Sequence, residues 1–153
     1  MKLIDLSHTV HDGPVTYKGL PPPLICDFLS REASRQLYAD GTTFQIGSIE
    51  LCSNTGTYLD SPWHRYEQGK DLSELDLHSV AHLEGVKVPI GPVRERIDAD
   101  AFEGIDVAER AVLIVEHMTN LAAVPEQGFR FYAVPVKVRG MGTFPVRAFA
   151  QVG

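Results

Sequence analysis

A chain of 153 residues with 44% hydrophobic and 22% charged side chains has room for one folded domain with a hydrophobic core and is too apolar to be disordered. Its formal charge of −6 and the lack of any Lys/Arg run argue against nucleic acid or an anionic membrane as partner, because phosphate recognition needs clustered cations. No stretch approaches the ~18 apolar residues of a membrane span, and the opening MKLIDLSHTV lacks the long apolar core of a signal peptide. Cys26 and Cys52 are each flanked by apolar residues and read as buried, inert thiols in a reducing compartment. The expectation is a single cytoplasmic domain over residues 1–153.

Lys2 to Val10 opens as a short strand running into polar residues, and His11-Asp12-Gly13-Pro14 is a turn signal. Gly19 to Pro23 (GLPPP) is too stiff for helix or central strand and belongs on the surface or on a pocket wall. Leu24 to Leu29 reads as a strand, and Ser30 to Ala39 as a short helix or an irregular excursion. After the Asp40-Gly41 turn, Thr43 to Leu51 is apolar and β-branched with rough alternation, which predicts a strand. Asp71 to Leu83 predicts a helix, with Leu72, Leu75, Val80 and Leu83 as its apolar stripe and acidic residues early, where the dipole favours them. His78 and His82 would then stand four apart, a metal-ligand spacing, but no Glu or third ligand accompanies them, so capping or solvent-facing histidines are the simpler reading. Val86 to Ile90 predicts a strand, and Arg94 to Ala108 is mixed, anchored by Ile97, Phe102 and Ile105. Ala111 to Val115 (AVLIV) reads as a strand buried on both faces and leads straight into Glu116-His117. Phe129 to Val134, Val136 to Arg139 and Pro145 to Val152 are β-like, with a turn at Gly140 to Gly142.

The stretch Asn54 to His64, Asn-Thr-Gly-Thr-Tyr-Leu-Asp-Ser-Pro-Trp-His, concentrates the chemistry. A carboxylate, a histidine, a phenol and a primary amide share eleven residues that Gly56 and Pro62 keep out of regular structure. Polar and ionisable groups crowded onto a shaped turn more often make a site than a scaffold.

This stretch resembles the signature of the metal-dependent cyclase family, which includes the bacterial kynurenine formamidases and isatin hydrolases. That signature reads His-x-Gly-Thr-His-x-Asp-x-Pro-x-His and is matched at Gly56, Thr57, Asp60, Pro62 and His64. IDLSH near the start, GKDLSEL after the motif, and VEHMTNLAAVP, AVPVKVRG and FPVRAFA near the end extend the likeness over most of the chain. The resemblance implies an α/β chain of the swivelling β/β/α fold, a barrel-like sheet flanked by helices, assembled as dimers or larger. The fold is expected to be shortened here, because the segment that normally separates the AVLIV strand from the glutamate, and carries a distal metal-binding histidine, has no counterpart. A sheet edge left open by that loss would call for a partner subunit.

In the family the first two motif histidines and the aspartate bind one divalent ion, the aspartate bridges to a second, and the last histidine is the general acid/base. Carried over, Asp60 is the bridging carboxylate, His64 the acid/base group and Glu116 the distal glutamate. The two histidine positions hold Asn54 and Tyr58. An imidazole offers Zn²⁺ a nitrogen lone pair, whereas Asn54 offers a carbonyl oxygen and a phenol, with an ordinary pKa near 10, is a poor ligand at neutral pH. Asp60, Glu116 and Asn54 form an oxygen set, for which hardness favours Mn²⁺ or Mg²⁺ over Zn²⁺, or no metal at all. In this reading Tyr58 would instead donate a hydrogen bond to a developing oxyanion.

Each candidate has a structural alternative: Asp60 as a loop residue capping amides, His64 bonded to a carbonyl, Trp63 as packing, and Glu116 paired with Arg147 or another arginine. His8 and His11 are explained equally well by the pocket or by surface loops. The expected function is hydrolysis of an amide such as an N-formyl arylamine. The rivals are a non-catalytic ligand-binding protein on the same fold and a metal-free cyclase or isomerase working through Tyr58 and His64. Small-molecule substrate and a homodimer are the expected partners.

Overall fold

The computed structural model describes residues 1–90, 97–105 and 113–153. Within them the chain forms strands β1 (Lys2–Asp5), β2 (Leu24–Leu29), β3 (Ile46–Glu50), β4 (Tyr58–Asp60), β5 (Leu83–Val86), β6 (Ile114–Glu116), β7 (Gln127–Tyr132), β8 (Thr143–Pro145) and β9 (Phe149–Val152), with one short helix, α1 (Arg31–Ser34). Two compact units emerge, Thr9–Gly56 and Met1–His8 with Thr57–Gly153.

In the larger unit, a four-stranded sheet runs β1-β9-β7-β5 and a three-stranded sheet runs β6-β4-β8. Every pairing is antiparallel. Ile4, Leu6, Leu59, Phe129, Val146 and Ala150 form the core with their neighbours. Gly85 faces Phe129 in the register, and a Cβ there would fall 2.0 Å from the phenyl ring, so the glycine admits the ring. At the sheet edge Arg147 donates to Asp5 at 2.6 and 3.0 Å. Arg147 is thus engaged by Asp5, which takes it away from the alternative of an arginine partner for Glu116.

The smaller unit is built on the β2-β3 ribbon, in register at Ile25↔Ile49 and Cys26↔Ser48. Both faces of this ribbon are open, with Phe28 78% and Ile49 55% exposed. Cys26 is therefore exposed and Cys52 half-buried, both unpaired, in place of the buried thiols expected. Gly19 to Pro23 runs largely over the surface, as its stiffness predicts, with Pro23 alone of the five buried.

The barrel-like sheet flanked by helices is not found: no sheet closes among the described residues, and helix is confined to α1 and a few single 3₁₀ turns. The largest departure is Asp71–Leu83. Asp71 Oδ1 accepts from Ser73 N at 2.8 Å and Asp76 Oδ1 from His78 N at 2.9 Å, so aspartates capping the amides two residues on replace the helical bonds. The segment is a string of turns ending in β5, and the four-residue spacing of His78 and His82 no longer sets them on one helix face. His82 instead takes a left-handed backbone (φ 59°) and meets the Tyr132 hydroxyl at 2.7 Å. The predicted strand at Val86 to Ile90 is displaced toward the N-terminus, and Val136 to Arg139 is not a strand. Ala111 and Val112 of AVLIV lie outside the described residues, and Ile114 is 52% exposed, so at its described end this strand is buried on one face only. Ile97 and Phe102 are exposed and do not anchor a core.

Candidate active site

β4 is the middle strand of its sheet, and its pairing dictates what meets what. Tyr58 stands opposite Glu116 of β6 and Pro145 of β8, and Asp60 opposite Ile114 and Thr143. Directly opposed residues of an antiparallel pair project to the same face, and side chains alternate along each strand. Tyr58, Asp60, Glu116 and Thr143 therefore share one face. Leu59, Val115 and Phe144 share the other, where they join the core. The apolar middle residue of each strand fixes which way the polar residues look.

Thr57, at the head of β4, ties three segments together. Its hydroxyl donates to His117 O at 2.7 Å and accepts from His8 N at 3.0 Å, and its amide partner strand is closed by Val146 N bonding Thr57 O at 2.9 Å. His8 thus meets the motif through its backbone. His11 is exposed and contacts Asp12 O.

After Asp60 the chain turns sharply. Pro62 to His64 form one 3₁₀ turn, with His64 N bonding Ser61 O at 3.0 Å and Trp63 N bonding Lys70 O at 3.1 Å. Ser61 N bonds Gly142 O at 2.7 Å, and the backbone of His64 lies so close to Gly142 that a Cβ there would sit 2.5 Å from His64 N. This contact brings the imidazole over β8, where Thr143 Oγ1 lies 2.9 Å from His64 Nδ1 and donates to Asp60 Oδ1 at 2.8 Å. Trp63 points partly outward, 41% exposed.

The turn that carries Gly142 and Thr143 is itself held. Asp71 Oδ2 accepts from Gly140 N at 2.6 Å and Leu72 N bonds Met141 O at 3.0 Å. These donors hold the Asp71 carboxyl below the usual range, the Gly140 amide first and the Ser73 hydroxyl next.

Asp60, His64 and Glu116, with Ser61, Tyr66 and Ile114, line a cavity of about 320 Å³, the lower end of the size range for small-molecule sites. Ser61 Oγ is buried and is without a hydrogen-bond partner among the described residues. Tyr58 is fully buried, and its hydroxyl donates to Glu116 Oε2 at 2.6 Å. Four of the five predicted residues thus converge in one unit. Asn54 belongs to the Thr9–Gly56 unit, where its Oδ1 accepts from Ser53 Oγ at 3.3 Å. Thr143 and Asp71 are the residues that sequence reasoning missed. No local pattern in the sequence marks Thr143, since its place opposite Asp60 comes from strand register.

A family model for cyclases matches residues 4–128. The chain belongs to the cyclase family. A kynurenine formamidase of Bacillus cytotoxicus is 30% identical over 118 residues, covering 77% of this chain and 48% of the relative. The chain spans about half the length of the curated relatives it matches. Isatin hydrolase A from Ralstonia solanacearum superposes with a TM-score of 0.68 at 15% identity over 99% of this chain and 92% of that one. A structure described as a potential metal-dependent hydrolase with cyclase activity gives 0.71 at 17% identity over 97% and 96%. At these identities the two structures establish a common fold.

Asn54 and Tyr58 stand at the two imidazole positions of the motif, which raises the question of which residues could hold an ion here. Among the described residues no group of three or more His, Cys, Asp or Glu side chains is placed to do so. Tyr58, at the second imidazole position, directs its proton at a carboxylate, so this position supplies a donor where the family has a lone pair. The residues do not fit the family's metal centre. Two carboxylates on one face, Asp60 and Glu116, are what remains.

Proposed function

We propose that this cyclase-family chain is an amide hydrolase of the arylformamidase type, acting on a small N-formyl arylamine. The observation that carries the reading is the Asp60–Thr143–His64 chain of contacts on the wall of a cavity sized for such a substrate. The names of the relatives supply the substrate class.

In the reaction, a water attacks the formyl carbon while His64 takes its proton, and the C–N bond breaks as the same imidazole returns a proton to the leaving amine. The products are formate and the arylamine. Asp60, buried beside β8, orients Thr143 and through it the ring. Tyr58 directs its proton at Glu116, an engagement that favours hydrolysis over the cyclase or isomerase reading, in which the phenol serves the substrate.

A hard ion held by Asp60 and Glu116 is part of the proposal, Mn²⁺ or Mg²⁺ in preference to Zn²⁺, because two carboxylates offer oxygen alone. Assembly as a two-fold dimer is likewise proposed, and light scattering showing a monomer at high concentration would remove it. The second reading, a non-catalytic binding member of the family, draws on the missing imidazoles. An assay on N-formylkynurenine separates the two. Turnover lost in His64→Gln supports hydrolysis, whereas binding by calorimetry with no turnover in the unaltered chain supports the binding protein.

A further inference from the structure

We propose that Thr143 is a positioning residue that fixes the tautomer of His64, keeping the ring proton on Nδ1 and leaving Nε2 as the nitrogen that takes a proton in the site. The argument is one of proton counting. A threonine hydroxyl has one proton to give and lone pairs to accept with, and a carboxylate can only accept. Thr143 Oγ1 stands 2.8 Å from Asp60 Oδ1 and 2.9 Å from His64 Nδ1. With its proton given to Asp60, the hydroxyl meets His64 as an acceptor, so Nδ1 carries the hydrogen. The alternative tautomer would set a lone pair on Nδ1 against a lone pair on Oγ1, or turn the hydroxyl away from a buried carboxylate.

The surroundings hold the hydroxyl to this choice. Thr143 is 2% and Asp60 9% exposed, so competing water is largely excluded and an unmade hydrogen bond to the carboxylate is costly. Directly opposed positions on β4 and β8 keep Asp60 and Thr143 side by side, and the close approach of Gly142 keeps the histidine backbone against β8. The threonine methyl leaves a β-branched side chain few rotamers, so the hydroxyl cannot drift to another acceptor. The order of charge-bearing groups is carboxylate, hydroxyl, imidazole, in which a neutral residue transmits the orientation that a carboxylate gives directly elsewhere.

What Nε2 does with substrate rests on the hydrolase reading, while the tautomer does not. The test is long-range ¹H–¹⁵N correlation NMR of the full chain at alkaline pH, where imidazoles are neutral, with His64→Gln used to assign one pattern among the six histidines. The expected pattern is a protonated Nδ1 and an unprotonated Nε2. Thr143→Val returns the ring to a mixture of both neutral forms and lowers kcat with little change in KM, and Thr143→Ser restores both. An Nε2-protonated ring in the unaltered chain, or a Thr143→Val ring still locked on Nδ1, overturns the proposal. If Thr143→Val does not fold, the unaltered and Thr143→Ser spectra decide alone. A locked Nδ1 proton in a chain that turns over no formamide would sink the hydrolase reading and leave this one standing.

Discussion

The hydroxyl of Tyr58 donates to Glu116 Oε2 across 2.6 Å, between positions that face each other in neighbouring strands. The cyclase-family motif has an imidazole where this chain has that phenol. Glu116 is half-buried, and a proton donor at this distance makes a charge-assisted hydrogen bond that offsets its lost hydration. Removing the donor is expected to destabilise the chain. Tyr58→Phe keeps the ring's packing and deletes one hydrogen bond to a charged group, a loss of about 1.5–3 kcal/mol. Urea denaturation with an unchanged slope would report it, and a variant as stable as the parent would mean that Glu116 is held by other contacts.

Restoring the two imidazoles should restore zinc. A zinc site with three or four good nitrogen or sulfur ligands binds tightly, whereas two carboxylates hold a hard ion exchangeably. Calorimetry on the unaltered chain is therefore expected to show weak Mn²⁺ or Mg²⁺ binding and no zinc surviving chelator. The Asn54→His, Tyr58→His double variant is expected to gain zinc affinity. No gain would show that the loop between Asn54 and Tyr58 no longer has the family's shape and would favour the binding-protein reading.

Gly142 is expected to tolerate no side chain. Its backbone angles lie in a region any residue adopts, since it is absent from the positive-φ glycines, so the constraint is one of space. A Cβ would fall 2.5 Å from His64 N and 2.6 Å from its Cα. Overpacking of this kind costs about 1–3 kcal/mol when the surroundings shift to absorb it. The shift would carry His64 away from Thr143, so Gly142→Ala should lose most of the formamidase activity in an assay run well below its melting temperature. Full activity would place the functional histidine elsewhere.

The parts of this site that were legible in the sequence are those carried by short-range order. Asp60, Pro62 and His64 announce themselves by spacing, but Tyr58–Asp60, read as kept out of regular structure by Gly56 and Pro62, is itself a strand. Thr143 was not legible, because its importance comes from lying opposite Asp60, and strand register is a long-range property that a local pattern does not encode. The predicted helix at Asp71–Leu83 failed for a local reason that propensity hides: Asp71 and Asp76 bond forward to backbone amides and so win the competition against helical bonds. AVLIV suggested burial on both faces by composition alone, yet a three-residue strand at the rim of a three-stranded sheet leaves Ile114 half exposed. The closed barrel was an inference from the family and depended on strands pairing around a ring, which again only register decides.

Asp71 supplies a prediction with a definite sign in pH. Its carboxylate gathers the amides of Gly140 and Ser73 and the Ser73 hydroxyl, and these donors lower its pKa in the folded chain. A group whose pKa is lower folded than unfolded adds stability above its unfolded value, about 3.9 for an aspartate, and loses that contribution as the pH falls through the folded value. Asp71→Asn is therefore expected to be less stable than the parent at neutral pH. The gap should stay constant down to about pH 5, then narrow as the parent's own carboxylate takes up its proton. Because the same carboxylate holds the turn that delivers Gly142 and Thr143, kcat/KM on a formamide should fall with it at neutral pH. Chemical denaturation across the acid range checks the first claim. A gap that stayed constant to the lowest pH at which the protein folds would show that Asp71 acts by shape and hydrogen-bond count, and that its charge contributes nothing to holding the turn.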